Sequence, residues 1–447
     1  MMGDGRSDPG APPGANPARV PAGPRGGGFL GGLLDWLGGA GAGRRRPFTG
    51  VAEARERARR VLPRVVFDYV DGGADDEWTM ARNEAAWRSL ELLPRFGTGI
   101  TQVDLRTELL GASLALPVLL APCGLARLLH PDGPAGAARA AAAAGTLAVL
   151  STVAGEPLEA VAAKAPGSRQ WFQLYAPTRA EAAELVGRAA DAGYQALVVT
   201  VDTPALGNRE RDRRNGVVPP LRLDARSAVA LGPQVLARPG WALRMMADGV
   251  SFLRAPASTG SAGNPLAAAT TISRLASPFT WEDVAWLKER WRGPLVVKGI
   301  VTPADATAAV QAGADAVVVS NHGGRQLDGS PPTAQALPAV VAAVGDQVPV
   351  LVDGGIRRGA DVVRAVALGA RAVLIGRPYL FALAAGGQRG VEELLGTLAA
   401  ELARTMVLLG RRRIAEIGPD VLGATGSAQL PGGSAPGSVT WGGPSSA

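Results

Sequence analysis

The chain has 447 residues, 47% of them hydrophobic and 19% charged, with a formal net charge of +7 and a pI of about 10.2. That length and balance suit one large α/β domain or two smaller ones. One cysteine, Cys123, and two histidines exclude an internal disulfide, a cysteine-rich zinc site and a histidine-built metal centre, and they fit a reducing cytosol. The positive charge is almost all arginine, since Lys164, Lys288 and Lys298 are the only lysines. No arginine/aromatic motif accompanies it, so nucleic acid is not an expected partner.

In chain order, residues 1–47 are rich in Gly, Pro and Arg and predict a disordered tail. Its apolar stretch at 28–37 is too short and glycine-rich to span a bilayer and lacks a signal-peptide pattern. A folded domain is expected over 48–424, and 425–447 again reads as a disordered Gly/Pro/Ser-rich tail. Between the tails, apolar β-rich runs fall at 116–121, 147–151, 170–174, 196–201, 295–298, 316–320, 349–352 and 372–376. Alanine-rich helical stretches at 134–144, 179–192, 303–312 and 359–368 separate several of them, and Thr178 and Thr302-Pro303 supply helix starts.

Eight buried strands with intervening helices predict a (β/α)8 TIM barrel, with a doubly wound sheet as the alternative. The strand ends favour the barrel. Pro122, Ser151, Gln173 and Tyr175, Thr200 and Asp202, Lys298, Ser320 and His322, Asp353, and Gly376 with Arg377 all stand there. One mouth gathers every strand end, whereas an open sheet uses only those near its switch point. A long insertion at 207–280 follows the fourth strand and reads as a lid. Its basic and apolar segment 238–255 either packs over the mouth or makes a peripheral contact with a membrane surface.

The chemistry concentrates at 317–329, where the run Val317-Val318-Val319 leads into Ser320-Asn321-His322-Gly323-Gly324-Arg325. A neutral imidazole takes a proton near pH 7, and a guanidinium three residues on grips a carboxylate with two parallel hydrogen bonds. The pair points to proton abstraction from a small carboxylic acid. Asp353-Gly354-Gly355-Ile356-Arg357 and Gly376-Arg377 end the last two strands, the usual phosphate site of such a barrel. Lys298 offers a point charge to a developing anion such as a reduced flavin; a Schiff base and a structural ion pair are the alternatives. Asp202 is read either as the partner that orients His322 or as a structural partner of Arg209.

Together these residues resemble the FMN-dependent α-hydroxy-acid oxidases and dehydrogenases, which include glycolate oxidase, L-lactate oxidase and dehydrogenase, and mandelate dehydrogenase. The similarity spans roughly 50–420. It rests most on the run from Ser320 to Asp328, with Phe67-Asp68-Tyr69, Trp171-Phe172-Gln173-Leu174-Tyr175, Thr200-Val201-Asp202-Thr203-Pro204 and Asp353 to Gly359. It implies oxidation of an L-2-hydroxy acid, lactate-like or larger, to the 2-oxo acid. His322 would be the base, supported by Asp202. Arg325, Arg209 and Tyr69 would hold the carboxylate, and Tyr175 the hydroxyl. Lys298, Pro122, Ser151, Gln173, Thr200 and Ser320 would line the flavin. Asp353, Gly355, Arg357, Gly376 and Arg377 would hold the ribityl phosphate. No metal is implied.

Val153 replaces a tryptophan of glycolate oxidase, which implies a wider pocket, and Gly124 replaces an alanine of the oxidases. The resemblance further implies oxygen or a quinone or respiratory partner as electron acceptor, a homotetramer, and a cytoplasmic site, at the membrane's inner face if 238–255 touches it. Alternatives are a tailoring oxidase of a natural-product or peptide-derived substrate, and a non-redox phosphate-binding isomerase. Arg325 argues against a substrate that lacks a carboxylate.

Overall fold

The computed structural model describes residues 46–216, 225–249 and 278–423, with the backbone alone at 225–230. The expected tails, apart from residues 46 and 47, and positions 217–224 and 250–277 of the insertion lie outside the described residues.

Three helices open the described chain: α1 (Val51–Val61), α2 (Arg64–Asp71) and α3 (Trp78–Ser89). A two-stranded antiparallel hairpin follows, β1 (Thr107–Leu109) with β2 (Ala112–Leu114). None of these five elements was expected from strand and helix periodicity. Eight strands then form a closed parallel barrel: β3 (Val118–Leu120), β4 (Ala148–Ser151), β5 (Gln170–Leu174), β6 (Ala196–Thr200), β7 (Leu295–Ile300), β8 (Ala316–Val319), β9 (Val350–Val352) and β10 (Ala372–Ile375). Each lies within or across one of the eight expected runs. Closure comes from β10 pairing with β3, with Val373 opposite Val118, which excludes the open doubly wound sheet.

Helices cover the outside: α4 (Ala126–Leu129), α5 (Gly133–Ala143), α6 (Leu158–Lys164) and α7 (Arg179–Asp191) in the first half. After the insertion come α11 (Trp281–Arg290), α12 (Pro303–Gln311), α13 (Thr333–Val344), α14 (Gly359–Ala367) and α15 (Arg377–Leu408). The expected caps are made: Thr178 Oγ1 accepts from Glu181 N at 3.2 Å and Thr302 Oγ1 from Asp305 N at 3.1 Å. The insertion contributes α8 (Glu210–Arg214), α9 (Ala225–Leu236) and α10 (Pro239–Ala247), so its described part is helical. There α10 turns apolar side chains inward. Trp241 is buried and donates from Nε1 to Leu128 O at 3.0 Å, and Met245 is buried beside it, while Met246 is exposed. No described helix is long and apolar enough to cross a membrane.

Side chains alternate faces along a strand, and the core divides accordingly. Val149, Trp171, Val198, Val296, Val318, Leu351 and Leu374 pack together inside the barrel. Their neighbours Leu150, Phe172, Val199, Val297, Val319, Val352 and Val373 pack outward under the helices. From α3, Trp87 is fully buried and donates from Nε1 to Gly354 O at 2.7 Å, which ties the N-terminal helices to the mouth. Replacing Trp87 by Ala should destabilise the chain by about 3–5 kcal/mol, read as a fall in the urea unfolding midpoint. An unchanged midpoint would mean that α3 is no part of the cooperative core.

Candidate active site

The alternation that fills the barrel also builds its mouth. Two residues beyond each inward apolar side chain, the same face carries Ser151, Gln173, Thr200, Lys298, Ser320, Asp353 and Gly376. These positions close the barrel with a polar layer. Ser151 Oγ donates to Gln173 Oε1 at 3.0 Å, Lys298 Nζ donates to Ser320 Oγ at 2.8 Å, and Lys298 lies 3.1 Å from Asp353 Oδ2. Burial pushes the Lys298 pKa down, but the carboxylates of Asp353 and Asp202 outweigh it and hold the value above the ordinary one. Gln173 Nε2, Thr200 Oγ1 and Asp353 Oδ1 are buried with no hydrogen-bond partner. Buried polar atoms are normally paired, so this layer is made to meet a polar ligand.

The base candidate stands on the next loop. His322 has a left-handed backbone, φ 57°, followed by Gly323 at 65° and Gly324 at 71°. Its Nδ1 lies 2.9 Å from Asp202 Oδ1, and its Nε2 lies 3.5 Å from the Tyr175 hydroxyl. Burial lowers the His322 pKa despite the opposing charge of Asp202, so the ring is held neutral at pH 7. Burial pushes the Asp202 carboxyl up, but the charge and hydrogen bond of His322, with Lys298, bring it below the ordinary range.

The loop is fastened from the N-terminal helices. Asn83 and Asn321 exchange amide hydrogen bonds at 2.9 Å each, and Ala74 N donates to Gly324 O at 2.9 Å. At its far end Asp328 accepts from Thr79 N at 2.7 Å and Trp78 N at 3.2 Å, placing a carboxylate at the N-terminus of α3.

Four arginines give the cleft its charge. Arg325 donates to Gly72 O at 2.7 Å and lies 5.2 Å from the Tyr69 ring centre. Among the described residues neither Arg325 nor Arg209 forms an ion pair with a carboxylate, and Arg209 Nε has no hydrogen-bond partner. Burial and the nearby Arg325 pull the Arg209 pKa down to about 10. At the other end Arg357 pairs with Glu84 Oε1 at 2.9 Å. Arg377 donates to the carbonyls of Val70, Gly72 and Gly323 at 3.1, 2.7 and 2.8 Å. Burial, with repulsion from Arg325 and Arg357, brings Arg377 down to about 9. Such crowding of like charge favours anions.

The cleft encloses about 1010 Å³ not filled by protein atoms, part of it continuous with solvent. Of the residues singled out in the sequence, Tyr69, Pro122, Ser151, Tyr175, Arg209, Lys298, His322, Arg325, Asp353, Gly355, Arg357, Gly376 and Arg377 line it. Asp202, Gln173 and Ser320 stand one hydrogen bond behind the wall, and Thr200 is paired in register with Lys298. The wall also contains Val70, Cys123, Thr203 and Leu206, to which sequence reasoning gave no role in the site although three of them adjoin residues it chose. Asn83 carried no local signal, because its partner Asn321 lies 238 positions away. Among the described residues no cluster of three His, Cys, Asp or Glu side chains is placed to hold a metal ion.

The residues fit FMN. Arg357 and Arg377 offer charge to a phosphate. Gly354 and Gly355 have φ of 83° and 82°, and a Cβ on Gly355 would stand 2.4 Å from Asn83 O. The unpartnered atoms of the polar layer offer hydrogen bonds to an isoalloxazine edge and a ribityl chain.

Comparison with known proteins covers the same stretch of chain. The model of the FMN-dependent dehydrogenase family matches 58–424. An L-lactate dehydrogenase of Caulobacter vibrioides is 45% identical over 377 residues, 82% of this chain and 96% of the relative. A pre-mycofactocin synthase of Mycobacterium tuberculosis is 42% identical over 388 residues, 85% of this chain and 96% of the relative. Among solved structures, the monotopic membrane protein (S)-mandelate dehydrogenase superposes with a TM-score of 0.79 at 36% identity, covering 85% of this chain and all of that one. With its closed barrel and its cationic, polar mouth, the chain belongs to the FMN-dependent dehydrogenase family, flavoenzymes that oxidise α-hydroxy acids.

Proposed function

We propose that the chain oxidises an L-2-hydroxy acid, lactate-like or larger, to the 2-oxo acid, with His322 as the base. One observation carries this reading: a neutral imidazole, backed by a carboxylate at 2.9 Å, shares a cleft with two guanidiniums that no described carboxylate meets at ion-pair distance, the buried Asp212 acting on both only from farther off. Substrate supplies an anion in direct contact with both. Arg325 and Arg209 hold its carboxylate, with Tyr69 beside them, and Tyr175 meets its hydroxyl. The alcohol loses two electrons and two protons on becoming a ketone. His322 Nε2 takes one proton, and Asp202 stabilises the imidazolium that forms. Bound FMN would accept the two electrons together with the second proton, and Lys298 would offer positive charge to the reduced group.

Apolar Val153 and Leu206 in the cleft wall suit a substrate side chain larger than hydrogen. The likeness to (S)-mandelate dehydrogenase supports an aryl or long alkyl group there. The L-lactate dehydrogenase and the pre-mycofactocin synthase match at nearly equal identity, so overall similarity does not choose the substrate. The charge pattern supports a carboxylic acid, because a substrate without a carboxylate leaves Arg325 and Arg209 with no directly contacting anion. The reading extends to a homo-oligomer in the cytoplasm, reoxidised by oxygen or a quinone, with peripheral membrane contact through the insertion. Light scattering and flotation with anionic vesicles test those two points.

Anaerobic titration of the FMN-loaded protein with L-lactate and (S)-mandelate tests the central claim: one acid should bleach the flavin band, and readmitted oxygen then separates oxidase from dehydrogenase. A band that no 2-hydroxy acid bleaches overturns the reading. His322→Gln should keep FMN and slow flavin reduction by about 10²–10⁴-fold; an undiminished rate removes His322 from the role. Because burial lowers the His322 pKa, the base stays unprotonated further into acid than a free imidazole. The reduction rate should therefore be flat through neutral pH and fall only below the ordinary imidazole value of 6.5. A fall centred above it would contradict the assignment. Arg325→Lys should weaken substrate binding by roughly ten- to a hundredfold, since one strong charge-assisted hydrogen bond is lost; affinity within twofold of the parent would reject the clamp.

A further inference from the structure

Gln326 follows Arg325 and has no part in the roles assigned above, yet its side chain is fully engaged. Nε2 donates to Asp202 O at 2.9 Å and to Ala205 O at 2.7 Å, and Oε1 accepts from Gly207 N at 3.2 Å. One neutral amide thus holds three backbone groups of the 202–207 segment against the loop that carries His322 and Arg325. The two loops touch at the adjoining point. A Cβ on Gly207 would stand 2.2 Å from Arg325 O and 2.6 Å from Gln326 O. Just beyond, Asn208 is anchored on its other side: Asp75 N donates to Asn208 O, and Asn208 Nδ2 to Asp75 Oδ1, both at 2.8 Å.

The 202–207 segment begins with the partner of His322 and leads into Arg209. Arg209 and Arg325 repel each other, and no carboxylate among the described residues meets either at ion-pair distance, the buried Asp212 offsetting the repulsion only in part. Left free, the segment would relieve that repulsion by swinging Arg209 away. We propose that Gln326 is a positioning residue for substrate: its amide staples the 202–207 segment to the 322–326 loop and so keeps Arg209 beside Arg325, where one carboxylate meets both guanidiniums. A neutral amide suits this role because it must donate twice and accept once. A carboxylate would face two carbonyl oxygens, and a thioether would bridge nothing. The inference rests on the reading of a carboxylate-bearing substrate.

The test is a double-mutant cycle in the FMN-loaded protein, read by equilibrium binding of carboxylates that cannot be oxidised, oxalate and pyruvate, through the shift they cause in the flavin spectrum. FMN content and melting temperature are measured alongside. Gln326→Met should weaken binding by about tenfold or more, with FMN content and melting temperature held. Combined with Arg209→Ala it should weaken binding no further than Arg209→Ala alone, because the staple acts through that arginine. Gln326→Glu, which keeps the shape and the acceptor, should behave the same way. Losses that multiply in the double variant, or an affinity for Gln326→Met within twofold of the parent, overturn the proposal. So does loss of FMN from both single variants, which would make Gln326 a support of the cofactor cleft. A parent protein that binds neither these acids nor any 2-hydroxy acid fails the functional reading itself, a result distinct from multiplying losses in a protein that binds them.

Discussion

Everything at the mouth depends on a buried ion pair, Lys298 with Asp353, set on top of an apolar barrel. Their side chains are 5% and 10% exposed and 3.1 Å apart. Removing two charges from water is costly, and the pair persists because each partner answers the other and Ser320 takes a further hydrogen bond. The barrel dictates its place. With inward faces recurring every second residue, the position beyond Val296 and the position beyond Leu351 come to the same rim. The layer is not fully satisfied, since Gln173 Nε2, Thr200 Oγ1 and Asp353 Oδ1 have no partners. A rigid scaffold thus presents groups whose hydrogen bonds are reserved for what binds above them.

Around that layer the loops hold charge in arrangements that the chain alone would not choose. Arg209 and Arg377 have pKa values drawn down to about 10 and about 9 by burial and by neighbouring guanidiniums. Their carriers are fixed from outside: Gln326 spans to 202–207, Arg377 is held by three carbonyls, and α3 receives Asp328 at its N-terminus. Preorganised positive charge of this kind favours anionic ligands without reorganisation at the moment of reaction. The left-handed backbone of His322 belongs to the same economy of strain. A bulky residue at φ 57° is disfavoured on its own, and it is kept there by the Asn83–Asn321 amide pair and by Ser320 Oγ, which accepts from His322 N at 3.1 Å.

Much of the fold was legible because its signal is local. Runs such as Leu295-Val296-Val297 and Val317-Val318-Val319 are β-branched or apolar throughout, as strands buried on both faces must be. Thr178 and Thr302 announced helices through caps that need only the next three residues. What escaped was set by distant partners. The short strands of 107–114 are stabilised by each other and by the core they cover, and α1 and α3 carry no pattern that marks them as part of a mouth more than two hundred residues away, while Tyr69 on α2 was reached only through the resemblance. The described part of the insertion read as strandless, and it is helical; its Trp241 faces inward because Leu128 O is there to receive it.

The sequence by itself determined which residues stand at the strand ends, since periodicity and the order of runs depend only on neighbours in the chain. It also placed an imidazole three residues from a guanidinium and glycines where a ligand can approach. Only the tertiary structure decided what those groups do to one another. The 2.9 Å contact of His322 with Asp202 spans 120 residues, the crowding of Arg209 with Arg325 spans two loops, and the partners of Gln326 lie 119 to 124 residues away. Hydrogen bonds and ion pairs of that range act over a few ångströms in space, and no spacing along the chain encodes them until the barrel closes.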